Sequence, residues 1–168
     1  MTAALEVRDH AVWRCDFRVR TFRGEIALDP TAELVDEQEF GNLLMYGGAS
    51  CLWEDALGNG TTTANQTLTY LTNARAAIGA GDSSATAVAT HTDLQASTNK
   101  LRKAMDSTYP QHTDGTTSPS ATMTFQSTFA TTDANFDWQE VGIFNSTSAG
   151  TGRMINRKAQ NIGLKTSS

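Results

Sequence analysis

Three carboxylates, Asp133, Asp137 and Glu140, stand close together in this chain. Carboxyl pairs cleave glycosidic bonds, one acting as acid and the other as base or nucleophile, so this is the first place to look for catalysis. The spacing argues against it. On an extended strand Asp137 and Glu140 point to opposite faces, and Asp133 falls in the preceding turn. The histidines, His10, His91 and His112, are scattered without metal-ligand spacing. Cys15 and Cys51 are far apart. They read as two buried thiols of a protein made in a reducing cytosol rather than as a disulfide. Cys51 sits on an apolar helical stripe, which predicts an inert thiol rather than a nucleophile. Gly79-Ala80-Gly81 is followed by no Gly-Lys-Ser/Thr, so it does not encode a phosphate-binding loop. No Gly-x-Ser-x-Gly elbow occurs. The expectation is a protein that is not an enzyme and holds no cofactor or metal.

Glu140 has a different signal. Asn135 to Arg157 reads as two strands joined by a Ser/Thr/Gly turn. Period-two alternation puts Trp138, Glu140, Gly142 and Phe144 on one face and Val141 and Ile143 on the other. A carboxylate among aromatic side chains costs several kcal/mol or more if buried without a partner, because burying a charge costs more than burying a neutral polar group. A cation must meet it, and Arg157 on the returning strand is placed to do so. Glu140 and Arg157 are therefore predicted to form a structural ion pair.

An aromatic-rich strand carrying Glu140-Val141-Gly142-Ile143-Phe144, a polar turn, and a short strand ending in Asn156-Arg157 resembles a segment of tailed-bacteriophage virion proteins. The specific part of the likeness runs from Phe125 to Arg157. A weaker part begins near Phe40, where Gly41-Asn42-Leu43-Leu44 and then Gly47-Gly48 resemble the helix that opens many small phage tail proteins. The resemblance implies a structural subunit of the virion, in a tail, fibre-attachment or baseplate position, or alternatively a capsid decoration protein. It implies other virion proteins as partners, homo-oligomerisation as a trimer or hexamer, and a final location in the particle after synthesis in the host cytoplasm. It also implies one more Thr/Val-rich strand beyond Lys165-Thr166, whereas the sequence stops at Ser168. A receptor- or carbohydrate-binding module is the competing class. Such modules display aromatic platforms in loops, but Trp13, Trp53 and Trp138 fall in periodic elements, as core or interface residues do.

Composition limits the remaining classes. The chain has 168 residues, 39% hydrophobic and only 18% charged, with a net charge of -5. That length suits a single core. The acidic balance disfavours nucleic acid, which needs phosphate neutralisation. No apolar stretch approaches the ~20 residues needed to span a bilayer, and no secretion signal is evident. Thr, Ser, Gly and Asn favour strands and turns.

The elements that position these residues are expected as follows. Residues 12–22 alternate as a strand, with Trp13, Cys15, Phe17 and Val19 inward and Arg14, Asp16, Arg18 and Arg20 outward. Arg14, Arg18 and Arg20 form a candidate interface for an acidic neighbour. Residues 1–30 are read as an Arg-rich N-terminal arm and 31–168 as the main domain. A helix is predicted over residues 37–57, opened by an Asp36/Glu39 capping box and closed at Gly58-Asn59-Gly60. Its glycines are tolerable if it lies close against a sheet. Strands are expected over much of 68–78, across 122–130 and at Ile162–Leu164. Residues 92–105 are undecided, and Lys100, Arg102 and Lys103 read as a solvated face. The fold class is mainly β, an antiparallel β-sandwich with one substantial helix.

Overall fold

The computed structural model describes residues 14–24, 31–57, 71–117 and 121–167. His10, Trp13, the 58–60 stop, the 61–66 loop and residues 68–70 lie outside them. The strand expected over 68–78 is not formed through residues 71–76, where a turn is closed by Ala76 N donating to Thr72 O at 2.8 Å, and only Ala77 and Ile78 of it are strand. The protein is mainly β, with antiparallel sheets and one helix.

Five strands form the main sheet. β3 (Leu43–Leu44), β9 (Met154–Leu164), β8 (Asp137–Phe144), β4 (Ala77–Gly81) and β5 (Lys100–Ala104) lie side by side in that order, every pair antiparallel. β8 is the central strand and is buried on both faces, hence its dense run of apolar residues and glycine. β1 (Asp16–Arg23) and β2 (Glu33–Gly41) form a separate ribbon. β6 (Gln111–His112) and β7 (Met123–Thr124) form a small hairpin.

The two sheet faces differ in chemistry. One is apolar: Ile78, Ala80, Val141, Ile143 and Ile155 pack with Phe17 of the ribbon and with Cys51 of helix α1 (Tyr46–Leu57). Phe125, Phe129 and Phe136 close this side, with Phe129 edge-on to Trp138 at 4.7 Å. The opposite face carries Ala77, Phe144, Glu140, Arg157 and Arg102, and the 82–99 segment covers it through Leu94 and Ala96.

Several expectations change here. The helix starts at Tyr46, not at residue 37. Residues 33–41 are strand β2, because each of their polar positions finds a register partner on β1, so Asp36 and Glu39 cap nothing. Cross-strand pairing wins over a capping signal there. β1, inside the expected arm of residues 1–30, pairs along its whole length with β2 of the expected main domain. Trp138 does not share the face of Glu140. The β8–β9 register shifts between them, and Trp138 joins Val141 and Ile143 in the apolar cluster. The strand expected over 122–130 shrinks to Met123–Thr124. Beyond it, Asp106 takes the place of a ladder partner, accepting from Thr128 N and Oγ1 at 2.8 Å each. Residues 100–104, undecided from sequence, are strand β5.

Candidate functional site

Glu140 and Arg157 meet inside the protein, with both side chains fully enclosed and Arg157 Nε 2.6 Å from Glu140 Oε2. Strand geometry causes this. Gly142 is opposite Arg157 in the β8–β9 ladder, so Arg157 emerges on the face of Gly142 and therefore of Glu140, two positions along. The remaining polar atoms are satisfied by the covering segment. Glu140 accepts from Gln95 N at 2.9 Å and Ala96 N at 2.7 Å. Arg157 donates to Ala85 O at 2.8 Å, and its Nη1 lies 3.3 Å from His91 Nδ1. The pair thus staples the 82–99 segment to the sheet at both ends.

Space for this staple comes from missing side chains. A Cβ on Gly81 would lie 2.6 Å from Glu140 Oε1, and one on Gly79 would lie 2.8 Å from the Phe144 ring. Gly79-Ala80-Gly81 is therefore not a turn. It lies within β4, and its two glycines face the same way and receive their neighbours' side chains.

A second buried cation was not apparent from sequence. Arg102 extends over the Phe144 ring, 3.7 Å from its centroid, and pairs with Asp93 at 2.8 Å. It also donates to the carbonyls of Ser146, Ser148 and Thr151, ordering the β8–β9 turn. Lys100 reaches Asp93 on the same face at 3.3 Å, and Lys103, pointing the other way, reaches Asp133 at 2.6 Å. The basic run is a set of tethers rather than a solvated face. Period-two alternation along Lys100–Lys103 was the available signal.

Asp133, Asp137 and Glu140 are not brought together. Asp133 is tied to Lys103, Asp137 is exposed at the start of β8, and Glu140 is enclosed. Among the described residues, no three His, Cys, Asp or Glu side chains converge as metal ligands. No described helix is long and apolar enough to cross a membrane. An open cleft of about 650 Å³ lies beside β6 and β7. Its lining offers His112 and threonine hydroxyls such as Thr122 and Thr124 but no carboxylate among the described residues.

The predicted interface arginines lie on the exposed face of the β1–β2 ribbon. Arg18 meets Glu39 at 3.2 Å, Arg20 meets Glu37 at 2.5 Å, and Arg14 meets Asp16 at 2.9 Å. The acidic neighbour that each arginine finds is thus within the same chain. Comparison with known protein families, with curated proteins and with solved structures finds no match for this chain.

Two chemical consequences follow from these environments. Burial would raise the Asp93 carboxyl, but the hydrogen bond and charge of Arg102, the Leu94 N–H and Lys100 outweigh it and hold it below its ordinary value of 3.8. Asp106 is lowered likewise, with burial opposed by Gln126 and Thr128, and Asp133 is lowered chiefly by its hydrogen bond from Lys103. Between the unfolded and folded values the unfolded chain binds more protons. The stabilisation is therefore present above the unfolded value and is lost as pH falls through the folded values beneath it. Denaturation midpoints are expected to be flat above about pH 5 and to fall below it. Asp93→Asn should flatten part of that slope, which a series of urea titrations would measure.

The thiols behave oppositely. Cys15 and Cys51 are not joined in a disulfide, and burial is the main cause raising both above the ordinary value. Asn156 donates to Cys15 and Asn145 to Cys51, at 3.4 and 3.5 Å, which only partly offsets that. Native protein should react slowly with an aromatic disulfide reagent, Cys51 more slowly than Cys15. Both should react at once in denaturant. Rapid labelling of Cys51 in the native state would contradict its enclosure.

Proposed function

We propose that this chain is a structural subunit of a tailed-phage virion, a tail, fibre-attachment or baseplate component that assembles through protein–protein contacts. The carrying observation is how the Glu-x-Gly-Ile-Phe and Asn-Arg residues are used. The side chains that give the chain its likeness to virion proteins are spent on internal architecture: Glu140, Phe144, Asn156 and Arg157 are all fully buried. Asn156 accepts from Ile143 N and ties β9 to Cys15, while Arg157 and Glu140 hold the covering segment. Such a motif is a device for holding a small subunit rigid. Rigidity suits a part that repeats the same contacts around a particle.

The surface supports contact rather than chemistry. Tyr46 and Trp53, seven positions apart and so on one side of α1, are 69% and 57% exposed. Aromatic side chains are enriched where proteins meet. The same two rings also favour the second reading, a carbohydrate- or receptor-binding module, because exposed aromatic faces stack on sugars. Purified particles decide between them. The chain should be present in a fixed copy number, and a cryo-EM map should place it in the tail or baseplate. A position on the capsid lattice would make it a decoration protein instead. A chain absent from particles and recovered only as a free monomer would sink the structural assignment.

A further inference from the structure

The β1–β2 ribbon has an uneven charge layout that its own fold does not need. β1 and its flank carry Arg14, Arg18, Arg20 and Arg23 with the single acid Asp16, whereas β2 carries Glu33, Asp36, Glu37 and Glu39 and no cation. In register, Arg18 faces Glu39, Arg20 faces Glu37 and Arg23 faces Glu33. These pairs are exposed, and such pairs add little to folding stability. The ribbon is held to the body from its other face, where Phe17 is buried, Phe40 lies 5.9 Å from it, and Gln38 donates to Ile162 O. The ribbon forms a sheet of its own, so among the described residues each strand has a ladder partner on one side only. Two strands of this length with open edges are templates for pairing with another chain.

The charges select which edges pair. Two β1 edges would set arginine against arginine, and two β2 edges would set carboxylate against carboxylate. Like charges directly opposite across a ladder are destabilising. Only β2 of one copy against β1 of another places opposite charges opposite one another. Both two-fold arrangements are disfavoured and a head-to-tail one is favoured. Leu34 and Val35, 49% and 53% exposed beside the register shift of the ribbon, add apolar contact on the acidic strand.

We propose that the β1–β2 ribbon is the joint between copies of this chain, with the acidic edge of β2 pairing antiparallel to the arginine edge of β1 on the next copy. The contact is heterologous. It repeats from copy to copy and closes into a ring when the rotation per copy divides a full turn. The proposal deepens the assembly-subunit reading and rests on it. It also gives a role to Arg14, Arg18 and Arg20, whose partners within one copy leave the outer strand edge unused.

The test exchanges the charges. In R18E/R20E/E37R/E39R the pairs within the ribbon are preserved with their signs reversed, so the chain should fold and self-assemble. In a mixture, however, each swapped edge meets a like-charged wild-type edge. Native mass spectrometry of an isotopically labelled wild type mixed with the swapped chain, brought together from high salt to low salt, should show two separate ring populations. Mixed species should be depleted well below the statistical share. R18E/R20E alone and E37R/E39R alone should each lose assembly, and the two together should regain it. Statistical mixing would overturn the joint while leaving the virion reading intact, because presence in particles tests that separately. Wild type that stays monomeric in low salt at high concentration would also overturn it. Should the swapped chain fail to fold, hydrogen exchange on the wild type decides. Amides of 16–23 and 33–41 should gain protection as concentration rises, and concentration-independent exchange would refute the joint.

Discussion

Arg157→Met is expected to destabilise the protein by ~3–5 kcal/mol, the cost of breaking a buried ion pair from one side. It leaves the Glu140 carboxylate enclosed with two amide donors but no cation, and it orphans Ala85 O. Glu140→Gln should cost a similar amount by a different route. A glutamine offers one acceptor and one donor where Gln95 N, Ala96 N and Arg157 are all donors, so donor must face donor. The double variant should fall short of the sum, because once the pair is broken the second loss removes an already uncompensated charge. An apolar replacement of both residues is often harmless for a buried pair, but not here. The backbone groups at residues 85, 95 and 96 would then be left without partners, at ~1–3 kcal/mol each. Urea denaturation at neutral pH reads the totals. Hydrogen exchange should show the loss concentrated in 83–99, the segment the pair secures. By contrast, Arg20→Ala, at an exposed pair, should shift the midpoint by no more than ~1 kcal/mol. If Arg157→Met and Arg20→Ala have equal effects, the buried pair does not anchor the covering segment.

The ion pair was legible because it needed only one strand period and the cost of burying a charge. Its other partners were not legible. Gln95 N and Ala96 N are backbone donors in a stretch with no period, and side-chain patterns say nothing about where such a segment lies. Gly79 and Gly81 were legible as glycines but not in their use. A Gly-x-Gly suggests a turn, whereas here the two empty positions make room for Phe144 and Glu140 of the adjacent strand. The helix boundary failed for a related reason. Asp36 and Glu39 satisfy a local capping rule, but their environment is set by Arg18, Arg20 and the rest of β1, which lie well before them in the chain. Trp138 was assigned to the wrong face because a register shift is invisible to strict alternation. Local periodicity thus recovered β1, β8 and the returning strand β9, with the ion pair joining the last two, and it missed whatever depended on which strand lies beside which.

Gly48 provides the sharpest opposition between local and tertiary rules. It lies in the first turns of α1, where glycine is a poor helix former, and alanine should stabilise an isolated helix by ~1 kcal/mol. The packing predicts the reverse. A Cβ on Gly48 would lie 2.1 Å from the Ile155 carbonyl oxygen and 2.5 Å from its Cα. These are backbone atoms of β9, the strand next to central β8, and they cannot rotate away as a side chain would. Met45 N donates to the same Ile155 carbonyl at 2.9 Å, so the helix start is fixed against the strand at this point. Gly48→Ala must therefore push α1 off the sheet, separating Cys51 from the apolar cluster. The expected loss is ~3 kcal/mol or more, at or beyond the upper end for overpacking. Gly47→Ala is the internal control, since its nearest neighbour, the Met154 carbonyl oxygen, is 4.0 Å away. That change should be neutral or stabilising by up to ~1 kcal/mol. Thermal unfolding followed at the helical band separates the two residues. A stabilised Gly48→Ala would mean that α1 does not approach β9 as closely as backbone contact requires. Loss at position 48 with none at 47 would identify close approach, rather than helix propensity, as the reason this helix carries glycine where it does.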